Sequence, residues 1–163
     1  MPKTALLFAA AVAVASGGPA AAQRNPPPTF NPDVFVAARQ ASLDMSSVVM
    51  GSMRDAMKAG QEAKTQGYVA TGLAKWSKVL PTLFVAGSGI GEATIQTQAK
   101  PVIWTDRAGF EQAAANYAAA TAKLVDLAKA NDTEGFKAQL AEVSRKCDAC
   151  HAVYKAGPQG PPK

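Results

Sequence analysis

Near its C-terminus the chain reads NDTEGFKAQLAEVSRKCDACHAVY over residues 131–154. Apolar side chains recur here at alternating spacings of three and four, the period of one face of an amphipathic helix. Asn131 and Asp132 at its start are suitable helix caps. The C-x-x-C-H motif shares this face, so one helix presents two thiols and an imidazole together. The stripe consists of Phe136, Leu140, Val143, Cys147, Cys150 and Tyr154.

Cys147, Cys150 and His151 form the attachment signature of a c-type haem. In such a site the two thiols add to the porphyrin vinyl groups as thioethers, and the imidazole binds the iron. A redox dithiol needs a βαβ context, and a structural zinc site usually has four Cys or His ligands. Core or oxidised thiols are the other alternative. The motif predicts one covalent haem c, with His151, the chain's single histidine, as iron ligand.

Three further segments show the same helical period. The first begins at Pro32 with Asn31 as cap and ends near Gly60. The second runs from about residue 61 to 83, and the third begins at Thr105 or Asp106 as cap. The predicted inward positions are Val36, Arg39, Leu43, Ser46, Met50, Met53 and Met57, then Val69, Leu73, Trp76, Leu80 and Leu83, then Phe110, Ala114, Tyr117, Thr121, Leu124 and Ala128.

The connections between these segments indicate the fold class. Short links after the first and third segments favour antiparallel neighbours, whereas the Gly-rich link after the second extends to Pro101. We therefore predict an all-α protein, an antiparallel up-down four-helix bundle over residues 31–156. The covalently bound haem is expected on the last helix, near the open end of the bundle.

The two ends of the chain lie outside this bundle. Lys3, an apolar run and small residues ending at Ala22 predict a cleaved signal peptide over residues 1–22. A retained anchor is the alternative, although the run is too short to span a bilayer. A Pro-rich leader is expected over residues 23–30 and a flexible tail over 157–163. Because c-type haem is attached outside the bacterial cytoplasm, this pattern predicts export to the periplasm.

The charge of the chain limits its partners. Lys and Arg number 17 against 12 Asp and Glu, which gives a formal net charge of +5. The lysines are scattered rather than collected in a stripe, so nucleic-acid binding is not predicted. Membrane insertion is not predicted either, because no apolar stretch after the signal peptide is long enough to span a bilayer. Weak steering toward an acidic partner is the expected consequence.

The motifs resemble those of cytochrome c′, the class II cytochromes c, over nearly the whole mature chain. C-x-x-C-H lies near the C-terminus rather than the N-terminus. RQASL at residues 39–43 and PVIWTD at 101–106, followed by Phe110, are similar to family motifs, as is Tyr154 followed by Lys155.

The resemblance implies a role for each matching residue. Leu43 would sit over the open face of the iron, and Arg39 would approach a haem propionate, with Gln40 also near the haem. Phe110 and Tyr154 would pack against the haem or the bundle, and Lys155 would lie beside the proximal imidazole. The resemblance also implies a homodimer formed through the first two helices.

Leu43 decides the expected chemistry, because leucine has no donor atom for iron. A haem held by His151 alone would be five-coordinate and high-spin, with an open position for a gas. An apolar distal pocket offers no hydrogen bond to dioxygen, so nitric oxide and carbon monoxide are favoured. We therefore predict a periplasmic cytochrome that buffers or detoxifies nitric oxide. It is not expected to be an enzyme, because no general base is evident beside the iron.

A low-spin haem with a methionine as sixth ligand, serving a transient redox partner, is the alternative of the same fold. Met45 is about 200° around the helix from Leu43, and Met50 is about 10 Å along its axis. Neither position suits ligation, and core or dimer packing is the simpler interpretation of the methionines. For Arg39, the alternative to a propionate contact is an ion pair with Asp44.

Overall fold

The computed structural model describes residues 30–157. The predicted signal peptide, the leader as far as residue 29 and the tail from residue 158 lie outside the described residues. Within residues 30–157 the secondary structure is helical apart from one isolated bridge between Ala99 and Lys155. The helices are α1 (Pro32–Lys58), α2 (Gly67–Val79), the one-turn α3 (Val102–Thr105), α4 (Arg107–Lys129) and α5 (Thr133–Tyr154).

The predicted all-α four-helix bundle is confirmed, with α1, α2, α4 and α5 as its four helices. The caps form at the predicted residues. The Asn31 side chain accepts a hydrogen bond from the main-chain N–H two residues on, at 3.0 Å. Asp106 and Asp132 accept from the N–H three residues on, at 3.1 and 2.9 Å. Gly60 follows α1 with a φ of 76°, a left-handed conformation that glycine adopts without a Cβ clash.

The prediction of one continuous second helix over residues 61–83 is wrong. α2 covers only Gly67–Val79, and 3₁₀ turns precede it at Ala63–Gln66 and follow it at Leu80–Leu83. Pro81 explains the second break, because proline has no N–H for the helical hydrogen bond and its ring clashes with the preceding turn.

The inward face of α2 agrees with the predicted stripe in part, because Leu73 is buried and Val69, Trp76 and Leu80 pack against buried core residues. Ser77 is fully buried, and its hydroxyl lies 2.9 Å from that of Thr121 on α4. Small residues on this face let α2 and α4 approach closely. The buried residues of α2 are Ala70, Leu73, Ala74 and Ser77, whereas Val69, Trp76, Leu80 and Leu83 are half-buried.

Two apolar clusters fill the bundle on either side of a gap. The larger cluster contains Met50, Met53 and Met57 of α1, with Leu124, Phe136, Leu140 and Val143. The smaller cluster, at the end where α4 begins and α5 ends, contains Ala99, Ile103, Phe110 and Tyr154. Between them the inward stripes of α1 and α5 continue with half-buried residues that face a cavity. Among residues 30–157, no helix is both long and apolar enough to cross a membrane.

Asp33 connects the start of α1 to the long link before α3. Its carboxylate accepts hydrogen bonds from the N–H groups of Thr94 and Ile95, at 2.8 and 3.2 Å, and from the Thr94 hydroxyl. The hydrogen bond from the Thr94 side chain, followed by the main-chain bonds, holds the pKa of Asp33 below its ordinary value of 3.8. A carboxyl whose pKa is lowered by folding stabilises the fold above the unfolded-state pKa, and this contribution is lost as pH falls through the folded pKa.

We therefore expect Asp33→Asn to lower the melting temperature at pH 7, and the difference from wild type to shrink as pH falls below about 4. Thermal unfolding between pH 7 and pH 3 measures this difference. Asp55→Asn is the matched control, because Asp55 is an exposed α1 carboxylate that meets only Lys58. If the difference in melting temperature between wild type and Asp33→Asn stays constant over this pH range, the lowered pKa of Asp33 is contradicted.

Candidate functional site

A cavity of about 460 Å³ lies between α1 and α5, with α4 and the link before α3 completing its wall. Its lining includes the C-terminal half of α5, the helix on which the haem is predicted. All nine residues that the sequence singles out line this cavity: Arg39, Gln40, Leu43, Phe110, Cys147, Cys150, His151, Tyr154 and Lys155.

The α5 wall carries the C-x-x-C-H motif. Cys147 and Cys150 are half-buried and are not bonded to each other. Burial raises the pKa of both thiols, so they stay protonated near neutral pH. Burial, followed by the nearby charge of Lys155, lowers the pKa of His151. The imidazole is therefore mainly neutral at pH 7, and the neutral form has the lone pair that binds a metal.

The α1 wall opposite is formed by Leu43, with Met50 two turns further along the helix. Leu43 is half-buried because it faces the cavity rather than the core. Met45 points elsewhere, with 61% of the residue exposed, as its helical angle predicts. The sulfur atoms of α1 thus belong to the core, to the inner end of the cavity or to the outer surface.

Arg39 is the largest fully buried residue, at 2% exposure. Its Nη1 donates to the Ser88 hydroxyl at 2.7 Å, and Nη2 donates to the Thr97 hydroxyl at 2.6 Å and to the Ser88 carbonyl. The guanidinium also lies 5.0 Å from the centre of the Phe84 ring. Desolvation lowers the pKa of Arg39, although a guanidinium stays charged in proteins.

No carboxylate within residues 30–157 forms an ion pair with Arg39, so the predicted alternative of a pair with Asp44 is not observed. The partners of Arg39 are neutral oxygen atoms and an aromatic ring. A buried charge is costly unless an opposite charge or several hydrogen bonds compensate it. Three of the five donors are used in these hydrogen bonds. Arg39 therefore brings a buried positive charge to the wall of the cavity.

The link between α2 and α3 contributes Phe84 to the wall, and also three residues that sequence reasoning missed: Thr97, Gln98 and Ala99. This link is fastened to the end of α5, because Lys100 N–H donates to the Tyr154 carbonyl at 3.1 Å. Ala156 N–H donates to the Gln98 carbonyl at 2.8 Å. The Gln40 side chain donates to the Gln96 carbonyl at 2.7 Å, from α1. The link has no periodic pattern, so its only sequence signal was its length.

Three aromatic rings form the outer end of the cavity. Phe110 packs edge-on against Phe84, with ring centres 4.8 Å apart, and against Tyr154, at 5.3 Å. The Tyr154 hydroxyl donates to Asp106 at 3.4 Å, so it is directed toward the cap of α4. Lys155 follows in extended backbone conformation, with its side chain exposed.

Comparison with known proteins shows which family the sequence resembles. The sequence model of the cytochrome c′ family matches residues 35–155. A cytochrome c′ from Rubrivivax gelatinosus is 39% identical over 79 residues, 48% of this chain and 59% of that protein. A cytochrome c′ from Alcaligenes xylosoxydans xylosoxydans is 30% identical over 125 residues, 76% of this chain and 94% of that protein.

Solved structures show the same likeness. The crystal structure of cytochrome c′ from Rubrivivax gelatinosus has a TM-score of 0.69 and 28% identity, covering 77% of this chain and 98% of that one. A ferrous variant of the Alcaligenes xylosoxidans cytochrome c′ with bound nitric oxide has a TM-score of 0.68 and 26% identity, with the same coverage. The extent of the family match and the shared bundle lead to one conclusion: the chain belongs to the cytochrome c′ family.

Proposed function

We propose that this protein carries one haem c, linked through Cys147 and Cys150 with His151 as iron ligand, and that it binds nitric oxide and carbon monoxide. The observation that carries the proposal is the cavity with two thiols and an imidazole on one wall and Leu43 on the other. Haem supplies an iron atom whose free coordination position takes a diatomic gas.

The residues of the cavity fit this group. Its volume lies in the range of ligand pockets, roughly 300–1,000 Å³, and Phe84, Ile103 and Phe110 give it apolar walls. The buried charge of Arg39 has no acidic partner in the described part of the chain, and a propionate carboxylate would supply one. Gln40, the next residue along α1, also lines the cavity beside Arg39.

The α1 side offers no ligand for iron at Leu43. Met50 is about 10 Å further along the helix axis, and Met45 faces outward. These positions support a five-coordinate, high-spin iron with His151 as its single protein ligand. The solved relative with bound nitric oxide supports gas binding at this kind of site. We assign no enzymatic role, because the only histidine of the chain is the proposed iron ligand.

A low-spin electron carrier with methionine as sixth ligand is the second candidate. One observation favours it: Met50 also lines the cavity. Ligation would require a shift of α1 by nearly two turns, or a haem position displaced toward the larger apolar cluster. A transient redox partner belongs to this candidate.

We further propose export to the periplasm through the sequence-predicted signal peptide, and a homodimer through α1 and α2. The exposed apolar side chains Val34, Met45 and Val48 of α1 and Val79 of α2 support the dimer, because each is at least half exposed. Burying such side chains in a second copy would remove apolar surface from water. Sedimentation of the haem-loaded protein as a monomer at micromolar concentration would contradict the dimer.

Optical and EPR spectra of the purified haem-loaded protein test the main proposal. We expect a high-spin ferric spectrum, and binding of nitric oxide and carbon monoxide after reduction. The reason is that the α1 wall holds no donor atom at Leu43. Low-spin spectra in both oxidation states, with no response to carbon monoxide, would instead establish a sixth protein ligand and the electron-carrier function.

Leu43→Met tests which residue lies over the iron. We expect the substitution to convert a substantial fraction of the haem to a six-coordinate, low-spin form, because a thioether sulfur would replace an apolar methyl group there. The ferric optical spectrum measures the conversion. Met45→Leu is the matched control, because the exposed Met45 should not affect it. An unchanged spectrum in Leu43→Met would show that residue 43 is not above the iron.

Arg39→Lys tests the buried guanidinium. Lysine keeps the charge but loses the planar fork that serves Ser88 and Thr97 together, so we expect the free energy of unfolding to fall by about 1–3 kcal/mol. Denaturant unfolding of the haem-loaded protein measures this loss. Arg54→Lys is the control: Arg54 is exposed and makes one hydrogen bond, to Ser144 at 3.2 Å. Equal effects of the two substitutions would argue against a special role for Arg39.

A further inference from the structure

Arg107, the first residue of α4, is a cation that the proposed haem site does not use directly. It does not line the cavity, and 37% of its side chain is exposed. A positive charge in the first turn of a helix is disfavoured, because the helix macrodipole is positive at that end. The contacts that Arg107 makes must offset this cost, and each of its three nitrogen atoms donates a hydrogen bond.

Two of the three acceptors belong to the segment that leaves α2. The Nη1 atom of Arg107 donates to the Phe84 carbonyl and Nη2 donates to the Pro81 carbonyl, both at 3.1 Å. The Nε atom donates to Glu111, one turn further along α4, at 2.8 Å. A planar guanidinium holds two acceptors in fixed directions, whereas an ammonium group is a single point charge. Arg107 therefore fastens the end of the second 3₁₀ turn to the start of α4.

Phe84 is held from several sides at this point. Its carbonyl also accepts a hydrogen bond from Trp104 Nε1, at 3.2 Å. Its ring packs against that of Phe110 and lies 5.0 Å from the guanidinium of Arg39. The guanidinium of Arg107 lies 5.3 Å from the centre of the Phe110 ring. Both rings line the cavity, so Arg107 holds the aromatic wall from outside through the main chain of one ring and the face of the other.

The ring of Phe84 covers a charge on which the proposed haem site depends. Arg39 is 2% exposed, and its proposed partner is a haem propionate. An ion pair is stronger where water is excluded, because the effective dielectric constant there is lower. The apolar shell around a metal site also controls solvent access, and with it the reduction potential. A residue that fixes Phe84 therefore affects both the propionate contact and the potential.

We infer that Arg107 is a positioning residue of the haem site, which holds Phe84 over Arg39 and so keeps water from the propionate contact. The inference rests on the proposed function, because it requires a haem whose propionate lies beside Arg39. The motifs do not mark Arg107, which directly follows PVIWTD in the sequence. Its role depends on carbonyl groups 23 and 26 residues away in the chain.

Arg107→Lys tests the inference through the midpoint reduction potential of the haem-loaded protein, measured by optical redox titration. Lysine keeps the positive charge but cannot hold both carbonyls with one planar group, so Phe84 is released at unchanged charge. Water that reaches the propionate contact stabilises the ferric form, whose iron carries the greater positive charge. We therefore expect the potential to fall below that of wild type.

Glu111→Gln is the matched control for this measurement. It removes the carboxylate that Nε of Arg107 contacts, and it leaves the hydrogen bonds to Phe84 and Pro81 in place. The potential of Glu111→Gln should therefore not fall. A wild-type potential in Arg107→Lys, or an equal fall in Glu111→Gln, would overturn the inference.

A double-mutant cycle tests whether Arg107 acts through Phe84. Phe84→Leu removes the ring that covers Arg39, so in its presence Arg107→Lys should cause little further fall in potential. If the two falls simply add in the double variant, Arg107 acts on the haem by another route and the inference is wrong.

Trp104→Phe takes the place of Arg107→Lys if that variant does not fold. It removes the other donor to the Phe84 carbonyl, so the potential should fall in the same direction. An unshifted potential would then overturn the inference, while a covalent haem that binds carbon monoxide would still support the proposed function. If the wild-type protein carries no covalent haem, the proposed function fails, and this inference fails with it.

Discussion

The architecture of the site depends on one buried charge. Arg39 comes from the middle of the first half of α1, yet it is removed from solvent by the link between α2 and α3. Its three hydrogen bonds hold Ser88 and Thr97 against α1, and Phe84 covers the guanidinium face. Gln40 and Asp33 of α1 add further hydrogen bonds to this link, at Gln96, Thr94 and Ile95. The residue that stabilises the wall therefore also makes it electropositive, and one side chain serves both structure and ligand recognition.

The two halves of α5 have different surroundings. Its first half supplies Phe136, Leu140 and Val143 to the closed core, and its second half turns the same face toward the cavity. The apolar stripe continues along α5 without interruption. The packing of the first half of the helix therefore sets the orientation of the face that carries the thiols and the imidazole. A rigid element with a packed base holds functional groups more precisely than a loop does. The core residues far from the cavity thus contribute to the geometry of the motif.

Much of this arrangement could be predicted from the sequence, because helices repeat their contacts locally. The period of three and four identified the bundle, and short polar residues identified the caps. The nine residues that the motifs singled out all line one cavity. The small buried residues of α2 were not foreseen, because the pattern favoured its large side chains over the small ones that permit close packing. The partners of Arg39 could not be foreseen, since Ser88 and Thr97 are 49 and 58 residues from Arg39 in the sequence.

The long sequence separation between Arg39 and its partners Ser88 and Thr97 affects the order in which the parts of the protein fold. The turn between α4 and α5 joins neighbours in the chain, so their hairpin closes a short loop at small entropic cost. The link that covers the cavity must instead be fixed from both sides, by Arg39 of α1 and by the main chain around Tyr154 and Ala156. Contacts at such separation form slowly, because chain entropy opposes them until the rest of the fold is present. We therefore expect a late folding step in which the bundle has formed while the thiols of α5 are still open to solvent. Amide protection at Ile90 and Lys100 that appears as early as that of α4 and α5 would contradict this order.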